Sequence, residues 1–479
     1  MNIKKDSIFL DDIEKNLFSL AAISYKHETI ENDRIVKLND LLDDRVKGSE
    51  PGSNQYLVNS NYNFIRISDV NDYDYTFDLS DKVQKVAKQK ETFPKVKKGD
   101  ILYQTASNVG NVCIYVGDIP SYYNSHLIKL TFKRNTEYIF AFLKSSIAKK
   151  QLRIAGSIKG VDNFRKEYLE EMKIIFPSYN NSENPETIID YVECLVKNLL
   201  DKEECIKLKD SEIDNIIINE INKNNKNTKY ISKLPSIKEI LGEGRIDTPI
   251  YVDEYKELIH KINDYEKGVY YLEKENIFPG YTPKDHIYSD IKEENNYLWI
   301  TPKNLEKRRL LYKTYIRTSK KTRVEKNDII FSGIRYLGNC IFIDTDEKIY
   351  ANQNTLIVRQ SSDIVEQLFI LCYFSSLLGK NLKMKRRVMG TVPILYVDEF
   401  IKIPIPKFDY NIKQKIAKIY YNNEIKENDY TLDNYLDKEK LRNRKLGIHQ
   451  LNSEIDEIKI QLEDIMKKIV NNSKIDIFL

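Results

Sequence analysis

The chain has 479 residues, of which 41% are hydrophobic and 31% are charged, which is enough to form the cores of two or three domains rather than one small module. No stretch approaches 18 uninterrupted apolar residues, and acidic residues interrupt the first apolar positions, so we expect a cytoplasmic protein with no membrane span. The net charge is only +4, from 76 basic and 72 acidic residues, and overall charge therefore indicates no particular partner. Five cysteines without a CxxC pair predict reduced, mostly buried thiols and no metal site.

A helix is predicted near the start of the chain. Within Ser7–Ser24 the apolar residues recur at the 3/4 spacing of a helix face, at Leu10, Ile13, Leu17 and Leu20. We assign residues 1–30 to an N-terminal helix that packs with the second helical region, near the other end of the chain.

A repeat follows. Residues 97–130 align without a gap on residues 325–358 at an offset of 228, with eight identities in 34 positions. Both copies read Lys-x-Asp-Ile, then Gly-Asn before an apolar run, then Tyr-x-Asn before another. Short apolar runs bounded by Gly and Asn predict strands and turns. We therefore expect two similar domains, at residues 31–180 and 229–408.

The flanking segments extend each copy to about 170 residues. FIRISDVN at 64–71 resembles YLWITPKNL at 297–305, and VKLNDLL at 36–42 resembles PSIKEIL at 235–241. On this alignment the second copy has an insertion, roughly residues 247–294, that contains IFPGYTP. Each copy closes with an apolar strand that ends in proline, MKIIFP at 172–177 and FIKIPIP at 400–406.

A helical region follows each copy, at residues 181–228 and 409–479. In the central region, which has a plausible first-turn proline at Pro185, the imperfect apolar seam includes Val192, Leu195 and Leu199. In the C-terminal region three heptads are apolar at every a and d position, namely Ile448, Leu451, Ile455, Ile458, Leu462, Ile465 and Ile469. A complete seam requires a partner helix, which favours a coiled coil over an amphipathic helix on a globular core. Acidic residues before this seam predict a break or hinge.

The predicted fold is mixed α/β, with two similar domains separated by long antiparallel coiled-coil helices. Because the N-terminal helix replaces a missing upstream helix of the first copy, we expect a circular order of elements and a pseudo-twofold axis. A helix of about 35 residues spans roughly 50 Å, so the coil would hold the two domains apart.

No catalytic or metal site is predicted. The chain has no GxxxxGK[ST] phosphate loop, no HExxH zinc motif, and neither the Gly-rich loop nor the Asn/Asp-Pro-Pro-Tyr turn of a DNA methyltransferase. Basic residues are instead concentrated in runs, with seven lysines in 82–98, ten Lys or Arg in 303–326 and five in 380–387. Two similar basic domains at a fixed separation suit a polymer that itself repeats, such as double-stranded DNA.

The order of these motifs, occurring twice, resembles the specificity subunit of type I restriction-modification systems. The resemblance covers nearly the whole chain and rests on KGDIL at 98–102, KNDII at 326–330, FIRISDVN, Gly156–Gly160 and FIKIPIP followed by a helix. It departs from the pattern at Asn327, where the first copy has Gly99. The resemblance implies two target recognition domains that each read half of a split DNA sequence. It further implies helices that dock methylation subunits, two of them, together with restriction subunits. Methylation and cleavage, with S-adenosylmethionine, ATP and Mg²⁺, would then belong to partner chains, and this chain would carry no cofactor.

Candidate DNA contacts lie in the loops and basic runs. Base contacts are expected from polar loop residues beside the repeated strands, at Asn108, Ser125, His126, Arg335, Gln353 and Asn354. Phosphate contacts are expected from basic residues, at Lys97, Lys98, Lys159, Arg165, Arg308, Arg309, Lys326, Lys385, Arg386 and Arg387. The two asparagines that both copies share, Asn124 and Asn352, are expected to cap turns through their own backbone.

Two other functions fit the sequence. One is an enzyme with a divergent catalytic site, such as a type IIB or IIG nuclease or methyltransferase component fused to DNA recognition domains. S-adenosylmethionine binding and DNA cleavage by the purified chain distinguish this alternative. The other is a coiled-coil scaffold without a DNA role, which would show no salt-dependent retention of DNA.

Overall fold

The computed structural model describes residues 32–77, 83–155, 169–289, 291–388, 390–424 and 429–477. These residues form two compact units. Unit 1 contains the described residues up to Glu204 together with those of 426–444 and 453–479, and unit 2 contains those of 205–425 and 445–452. Unit 1 thus combines early and late parts of the chain, which is the predicted circular order. The predicted helix at Ser7–Ser24 and the glycines of Gly156–Gly160 lie outside the described residues.

Unit 1 is built from short strands and a few helices. Its strands are β1 (Ile35–Lys37), β2 (Leu42–Lys47), β3 (Tyr56–Leu57), β4 (Tyr62–Ile65), β5 (Gln84–Val86), β6 (Lys95–Val96), β7 (Ile101–Gln104), β8 (Val112–Ile114), β9 (Ser121–Tyr123), β10 (Leu127–Phe132) and β11 (Lys173–Ile175). Its helices are α1 (Leu38–Leu41), α2 (Thr136–Lys144), α3 (Ser146–Ala155) and the first part of α4 (Pro185–Lys223), which continues into unit 2.

The strands of unit 1 form two main sheets and one strand pair. The four-stranded sheet has the order β2-β10-β7-β8 and is antiparallel throughout. The five-stranded sheet has the order β3-β5-β4-β9-β6 and contains one parallel pair, β4 with β9. The remaining pair is β1 with β11. Apolar side chains from both sheets share one core, where Leu102, Tyr123 and Leu127 pack together. Because these strand residues are buried, the strands contain the most apolar segments of the repeat.

Unit 2 contains a corresponding set of elements. Its strands are β12 (Val269–Tyr270), β13 (Ile277–Pro279), β14 (Ile287–Ser289), β15 (Tyr297–Ile300), β16 (Leu305–Glu306), β17 (Arg309–Leu310), β18 (Tyr315–Arg317), β19 (Ile329–Ser332), β20 (Cys340–Phe342), β21 (Ile349–Ala351), β22 (Thr355–Val358) and β23 (Ile405–Pro406). Its helices are α5 (Ile237–Glu243), α6 (Asp253–Asn263), α7 (Ile364–Ser375), α8 (Leu377–Arg386), α9 (Val397–Phe400) and α10 (Tyr410–Tyr420).

The strand order of unit 2 repeats that of unit 1. The sheet β13-β22-β19-β20 corresponds to β2-β10-β7-β8, and the pair β12 with β23 corresponds to β1 with β11. The sheet β14-β18-β15-β21 corresponds to β3-β5-β4-β9 and keeps its parallel pair, β15 with β21. The predicted duplication is therefore confirmed at the level of topology.

Strand pairing corrects part of the sequence alignment. Because β12 pairs with β23 as β1 pairs with β11, the counterpart of Ile35–Lys37 is Val269–Tyr270 and not the segment 235–241. That segment instead contributes to helix α5. The prediction that IFPGYTP lies in an insertion is also wrong, because its first residues form β13, which occupies the position of β2. Short apolar segments of helices and strands look alike in sequence, and only the distant pairing partner distinguishes them.

The departure at Asn327 has a conformational explanation. Gly99 has a φ of +90° and Asn327 a φ of +71°, so both copies need a left-handed residue two positions before the strand. Glycine adopts this conformation without strain, and asparagine tolerates it better than most residues. The neighbouring lysines also correspond, since Lys98 pairs with Asp118 at 3.0 Å and Lys326 with Asp346 at 3.1 Å.

The predicted helical regions pair within unit 1. Within the C-terminal region, residues 409–479, α10 belongs to unit 2, and it is followed by α11 (Leu432–Lys445) and α12 (Ile448–Val470), which are separated by a break at residues 446–447. Tyr191 of α4 contacts Gln461 of α12, and Lys202 contacts Glu454, so residue numbers rise along one helix as they fall along the other. The helices are therefore antiparallel. All ten residues predicted for the apolar seam are buried, in unit 1 or in unit 2.

A group of buried polar side chains interrupts the apolar seam of unit 1. The Lys202 ammonium donates hydrogen bonds to Glu439 at 3.0 Å, to Asn443 at 2.6 Å and to Glu454 at 2.6 Å. Asn198, one turn earlier, donates to Glu439 at 3.0 Å. We call these five residues the polar layer. Because a buried charge without partners is strongly unfavourable, the polar layer favours one register of α4 against α11 and α12.

Candidate nucleic-acid interface

The same end of the four-stranded sheet carries the predicted base contacts in both units. In unit 1 this end consists of the β7–β8 loop, residues 105–110, and the β9–β10 turn, residues 124–126, which we call loop edge 1. The backbone N–H and the hydroxyl of Thr105 both donate to the carbonyl of His126, at 2.9 Å each. In unit 2 the corresponding residues 333–338 and 352–354 form loop edge 2, where the N–H of Gly333 donates to the carbonyl of Asn354 at 2.9 Å.

The asparagines that both copies share have a structural role. The Asn124 side-chain oxygen accepts from the N–H of His126 at 2.8 Å, and that of Asn352 accepts from the N–H of Asn354 at 2.8 Å. The prediction that these two residues cap turns is confirmed. A glycine packs against each turn, since a Cβ atom on Gly48 or Gly280 would lie about 2 Å from the carbonyl oxygen of Asn124 or Asn352.

The loop tips differ in side chain although their backbones correspond. Ser107 has a φ of +64° and Arg335 a φ of +61°, which identifies these two residues as counterparts. The next residues, Asn108 and Tyr336, are both exposed, and the Tyr336 side chain retains 55% of its accessible surface. Ser107 and Tyr336 were missing from the predicted base contacts. The constant offset of 228 already pairs Ser107 with Arg335 and Asn108 with Tyr336, and it could have found them.

The second part of each edge also presents polar side chains. Ser125 and His126 of loop edge 1 correspond to Gln353 and Asn354 of loop edge 2. Among the described residues, none forms a hydrogen bond with these side chains or with those at the loop tips, Asn108 and Arg335. The structure therefore brings the six predicted base contacts together as two groups of three. Within each edge the shared residues hold the turn, and the differing residues leave their donors and acceptors free.

Two of the predicted phosphate contacts are buried in this structure. Arg308 and Arg386 each retain only 6% of their accessible surface. Arg308 donates to the Ser375 hydroxyl at 2.6 Å and pairs with Asp210, and Arg386 pairs with Glu243 at 2.6 Å. Their guanidinium groups are used inside unit 2. A phosphate could reach them only after these ion pairs were broken.

The other predicted basic residues are distributed over several places. Three of them, Lys97, Lys98 and Lys326, precede β7 or β19 and so lie at the opposite end of the strand from the loop edges, about 13 Å away. Three are half-buried in unit 2, namely Arg309, Lys385 and Arg387. The remaining two, Lys159 and Arg165, lie outside the described residues.

A basic loop beside loop edge 2 was not singled out from the sequence. The exposed side chains of Lys320, Lys321 and Arg323 border a cavity of about 190 Å³ that is also lined by Gly280 and Tyr281. The cavity lies next to loop edge 2, because the adjacent Thr282 hydroxyl accepts a hydrogen bond from the Asn352 side chain at 3.2 Å. Within the run 303–326, these three are separated only by Thr322, whereas the arginine pair at 308 and 309 is followed by two leucines. That contrast could have found them.

Three features of the described residues concern chemistry other than DNA contact, namely metal ligands, cysteines and the apolar character of the helices. In this part of the chain no group of three or more His, Cys, Asp or Glu side chains could hold a metal ion. The five cysteines are free, and four of them are buried, as predicted. Within the described ranges no helix combines the length and apolar character needed to cross a bilayer. The loop edges offer hydrogen-bonding side chains, and the neighbouring loop offers positive charge.

Comparison with solved structures gives matches of low sequence identity. One is the S subunit of a type I restriction-modification system from M. genitalium, 13% identical, covering 92% of this chain and 98% of that chain, with a TM-score of 0.43. Another is the HsdS subunit from Thermoanaerobacter tengcongensis, 14% identical, covering 93% and 98%, with a TM-score of 0.29. A third comes from work on complex assembly and conformational transition of the type I R-M system, 12% identical, covering 93% and 99%, with a TM-score of 0.29.

Comparison with curated proteins finds no match. The family model described as the type I restriction modification DNA specificity domain matches residues 31–209 and 276–432. The two matches fall on the two copies of the repeat and together cover more than half of the chain. The chain therefore belongs to the family of type I restriction modification DNA specificity domains, and it carries two copies of that domain.

Proposed function

We propose that the chain reads a bipartite DNA target, with one half-site read by loop edge 1 and the other by loop edge 2. The observation that carries the proposal is that each loop edge contains two kinds of position. Positions that both copies share hold the turns, whereas the exposed positions that differ carry side chains without hydrogen-bond partners among the described residues. Two readers built alike but reading different bases should differ at these positions only.

The side chains of loop edge 2 suit base edges in the major groove. Arg335 can donate two hydrogen bonds to guanine, and Gln353 and Asn354 can each bond adenine in a bidentate manner. Loop edge 1 offers Asn108 for the same purpose. Its other members, Ser125 and His126, form single hydrogen bonds with less discrimination. We therefore expect the side chains that contact bases to carry more positive charge in loop edge 2 than in loop edge 1.

Phosphate contacts would position each unit on the duplex. In unit 2 the exposed loop with Lys320, Lys321 and Arg323 has the charge and the position for this role. Arg309, Lys326, Lys385 and Arg387 stay predictions for unit 2. The same holds in unit 1 for Lys97, Lys98, Lys159 and Arg165. Such contacts release counterions and make affinity fall steeply with salt. A triple substitution of the three loop residues by alanine should reduce the slope of log K against log salt by about 1 for each phosphate that is no longer neutralised.

The chain would act within a complex in the cytoplasm. The helical regions would dock two methylation subunits and, through them, restriction subunits. Methylation and cleavage would use S-adenosylmethionine, ATP and Mg²⁺ bound to those partner chains. No catalytic residue is assigned to this chain, so the purified chain should neither bind S-adenosylmethionine nor cleave DNA.

Methylome sequencing tests the proposal. Cells that express the complex should methylate adenine in one split motif, and the motif should disappear when this gene is deleted. The variant Arg335→Ala should relax one half of the motif and leave the other half unchanged. Lys348→Ala, which removes an exposed cation directly before β21 that is not a predicted DNA contact, is the matched control and should preserve both halves. Relaxation of both halves by Arg335→Ala, or the absence of a split motif in the wild type, would contradict the proposal.

A further inference from the structure

Arg245 is a largely buried arginine that binds the backbone of the chain leading from α8 to loop edge 2. It follows helix α5 and retains 12% of its side-chain surface. Its guanidinium donates to the carbonyls of Arg386 and Arg387 at 2.8 Å each and to the Glu399 carboxylate at 2.8 Å, and its other two N–H groups bind Asp247. A guanidinium has five N–H donors, and all five of Arg245 are used. Arg245 therefore fixes the backbone where α8 ends.

The chain that leaves α8 continues directly to loop edge 2. The N–H of Val388 donates to the carbonyl of Ile394 at 2.8 Å, which closes this segment on itself. Leu395 N–H then donates to the carbonyl of Gly333 at 2.9 Å, and Arg335 N–H donates to the carbonyl of Pro393 at 2.8 Å. Pro393 and Leu395 thus hold the backbone of residues 333–335 on one side.

The hydrogen bond to Arg335 is made where the backbone needs support. Arg335 has a φ of +61°, a left-handed conformation that is unfavourable by about 1 kcal/mol or more for a residue with a Cβ atom. If the segment carrying Pro393 moves, the N–H of Arg335 loses its acceptor and the tip loses the constraint that keeps this conformation. The direction of the Arg335 guanidinium then changes as well.

We infer that Arg245 is a positioning residue for half-site recognition: it fixes residues 386–387, and through the Val388–Ile394 hydrogen bond and Pro393 it fixes the orientation of Arg335. The inference rests on the proposed function of loop edge 2. All of the contacts that carry it lie within unit 2. Arg245 lies about 90 residues from Arg335 in the sequence, and none of its hydrogen bonds reaches loop edge 2 directly.

The test uses Arg245→Lys in the assembled complex. A lysine keeps the positive charge but has three donors instead of a planar fork of five, so it cannot hold both carbonyls and both carboxylates together. Binding is measured to three duplexes, with the full target, with half-site 1 scrambled and with half-site 2 scrambled. We expect discrimination at the half-site read by loop edge 2 to fall about tenfold and discrimination at the other half-site to stay within about twofold.

The matched control is Arg359→Lys, which removes the planar guanidinium of another arginine in the same unit. Arg359 binds Asp328 at 2.7 Å, at the end of β19 that lies away from loop edge 2. Asp247→Asn is a second variant that weakens the hold on Arg245, and it should change the same half-site by about threefold. This variant serves if Arg245→Lys does not fold, which the thermal unfolding midpoint reports.

Each outcome decides the inference. Equal losses at both half-sites, an equal loss in Arg359→Lys, or full discrimination in a folded Arg245→Lys complex would overturn it. Failure of the proposed function looks different, because the wild-type complex itself would then show no separate discrimination at the two half-sites.

Discussion

Individual basic residues in the charge runs have opposite roles, which depend on their burial. Lys320 is exposed beside loop edge 2, whereas Lys383 is completely buried. The Lys383 ammonium lies 4.8 Å from the centre of the Phe331 ring and has no hydrogen-bond partner among the described residues. Burial lowers the pKa of Lys383 to about 7. A lysine in a basic run is therefore not by itself a candidate for DNA contact.

Replacement of Lys383 by methionine should stabilise unit 2. The change removes a buried amine without a partner and keeps a similar side-chain volume, so the unfolding midpoint should rise by a few degrees at pH 7. In the wild type the folded pKa lies below the unfolded value of 10.5, so the unfolded chain binds more protons between about pH 7 and 10.5 and stability should rise with pH in that window. Thermal unfolding at several pH values measures both effects.

The control for this prediction is Lys385→Met on the same helix. Lys385 is half-buried and pairs with Glu254 at 3.6 Å, so its loss should leave the midpoint and its pH dependence nearly unchanged. A lower midpoint in Lys383→Met would contradict our account of Lys383.

Substitutions at Gly99 should separate backbone conformation from packing. No atom lies within 4 Å of the position of a Cβ on Gly99, so only its φ of +90° opposes a side chain. Gly99→Ala should lower the unfolding free energy by about 1 kcal/mol, and Gly99→Asn by less, because Asn327 occupies the same position in unit 2. Urea unfolding provides the measurement, with Asn327→Gly, which should be neutral or slightly stabilising, as the reverse change. Equal losses for alanine and asparagine would refute this explanation.

Residue roles were predictable where they depend on local chain geometry. The turn-capping asparagines follow from a motif of three residues, and the free polar residues follow from their place after that motif. Burial of the arginines at 308 and 386 was not predictable in this way. Arg308 pairs with a carboxylate 98 residues away, and no local pattern encodes such a partner.

At the scale of elements, the apolar seam of the helices follows from heptad spacing, but the polar layer does not. Its acidic members come from α11 and α12, more than 230 positions after Lys202. Hydrogen bonds at two helix N-termini likewise join residues that lie far apart in the sequence. Glu463 of α12 accepts from the N–H of Ser146 in unit 1, and Asp214 of α4 accepts from that of Leu377 in unit 2. Carboxylates are favourable at helix N-termini, so each long helix supports the recognition domain beside it.

The variant Glu439→Gln should weaken the polar layer in a pH-dependent way. Burial alone would raise the pKa of Glu439, but the charges of Lys202 and Arg442 lower it to about 2. A carboxylate with a depressed pKa stabilises the fold above its unfolded pKa of about 4.5, and this contribution is lost as the pH falls towards 2. We therefore expect the variant to lose about 3 kcal/mol at pH 7 and much less near pH 3.

Helical circular dichroism during urea unfolding at the two pH values checks this prediction. Asp464→Asn is the control, because Asp464 forms an exposed pair with Lys468 one turn away and should contribute less than about 0.5 kcal/mol. A loss in Glu439→Gln that is the same at both pH values would show that the charge of Glu439 is not what matters.

At the scale of the whole molecule, duplication and circular order were both predictable, because identical residues recur at a constant offset and the heptads identify the late helix. The alignment of the second copy on the first was only partly predictable. The first strands of the second copy share no identities with those of the first copy, and their pairing partners lie far away in the sequence, with Val269 opposite Pro406 and Ile277 opposite Val358. The long helix α4 contributes to both units, with Glu204 in the first and Cys205 in the second.

Damage to the late helix should unfold the early unit. Ile469 of α12 is completely buried in unit 1, and its carbonyl accepts a hydrogen bond from the Asn32 side chain at 2.9 Å. Ile469→Asp should therefore reduce amide protection in β7 and β8 by about a hundredfold or more, while protection in β19 and β20 stays nearly unchanged. Ile460→Asp, at an exposed position of the same helix, is the control. Equal loss in both units under hydrogen exchange would contradict this assignment of α12.

The interleaved order of the two units also governs how the protein is made. Strands of unit 1 are synthesised before the strands of unit 2, yet α12, which completes the core of unit 1, is synthesised after both sets of strands. At typical elongation rates of 5–20 residues per second, the roughly 270 intervening residues take about 14–55 s. Throughout that interval the apolar side chains of unit 1 that α12 covers stay exposed on the nascent chain. Most of the second recognition domain is complete before the first, so translation order and folding order are reversed.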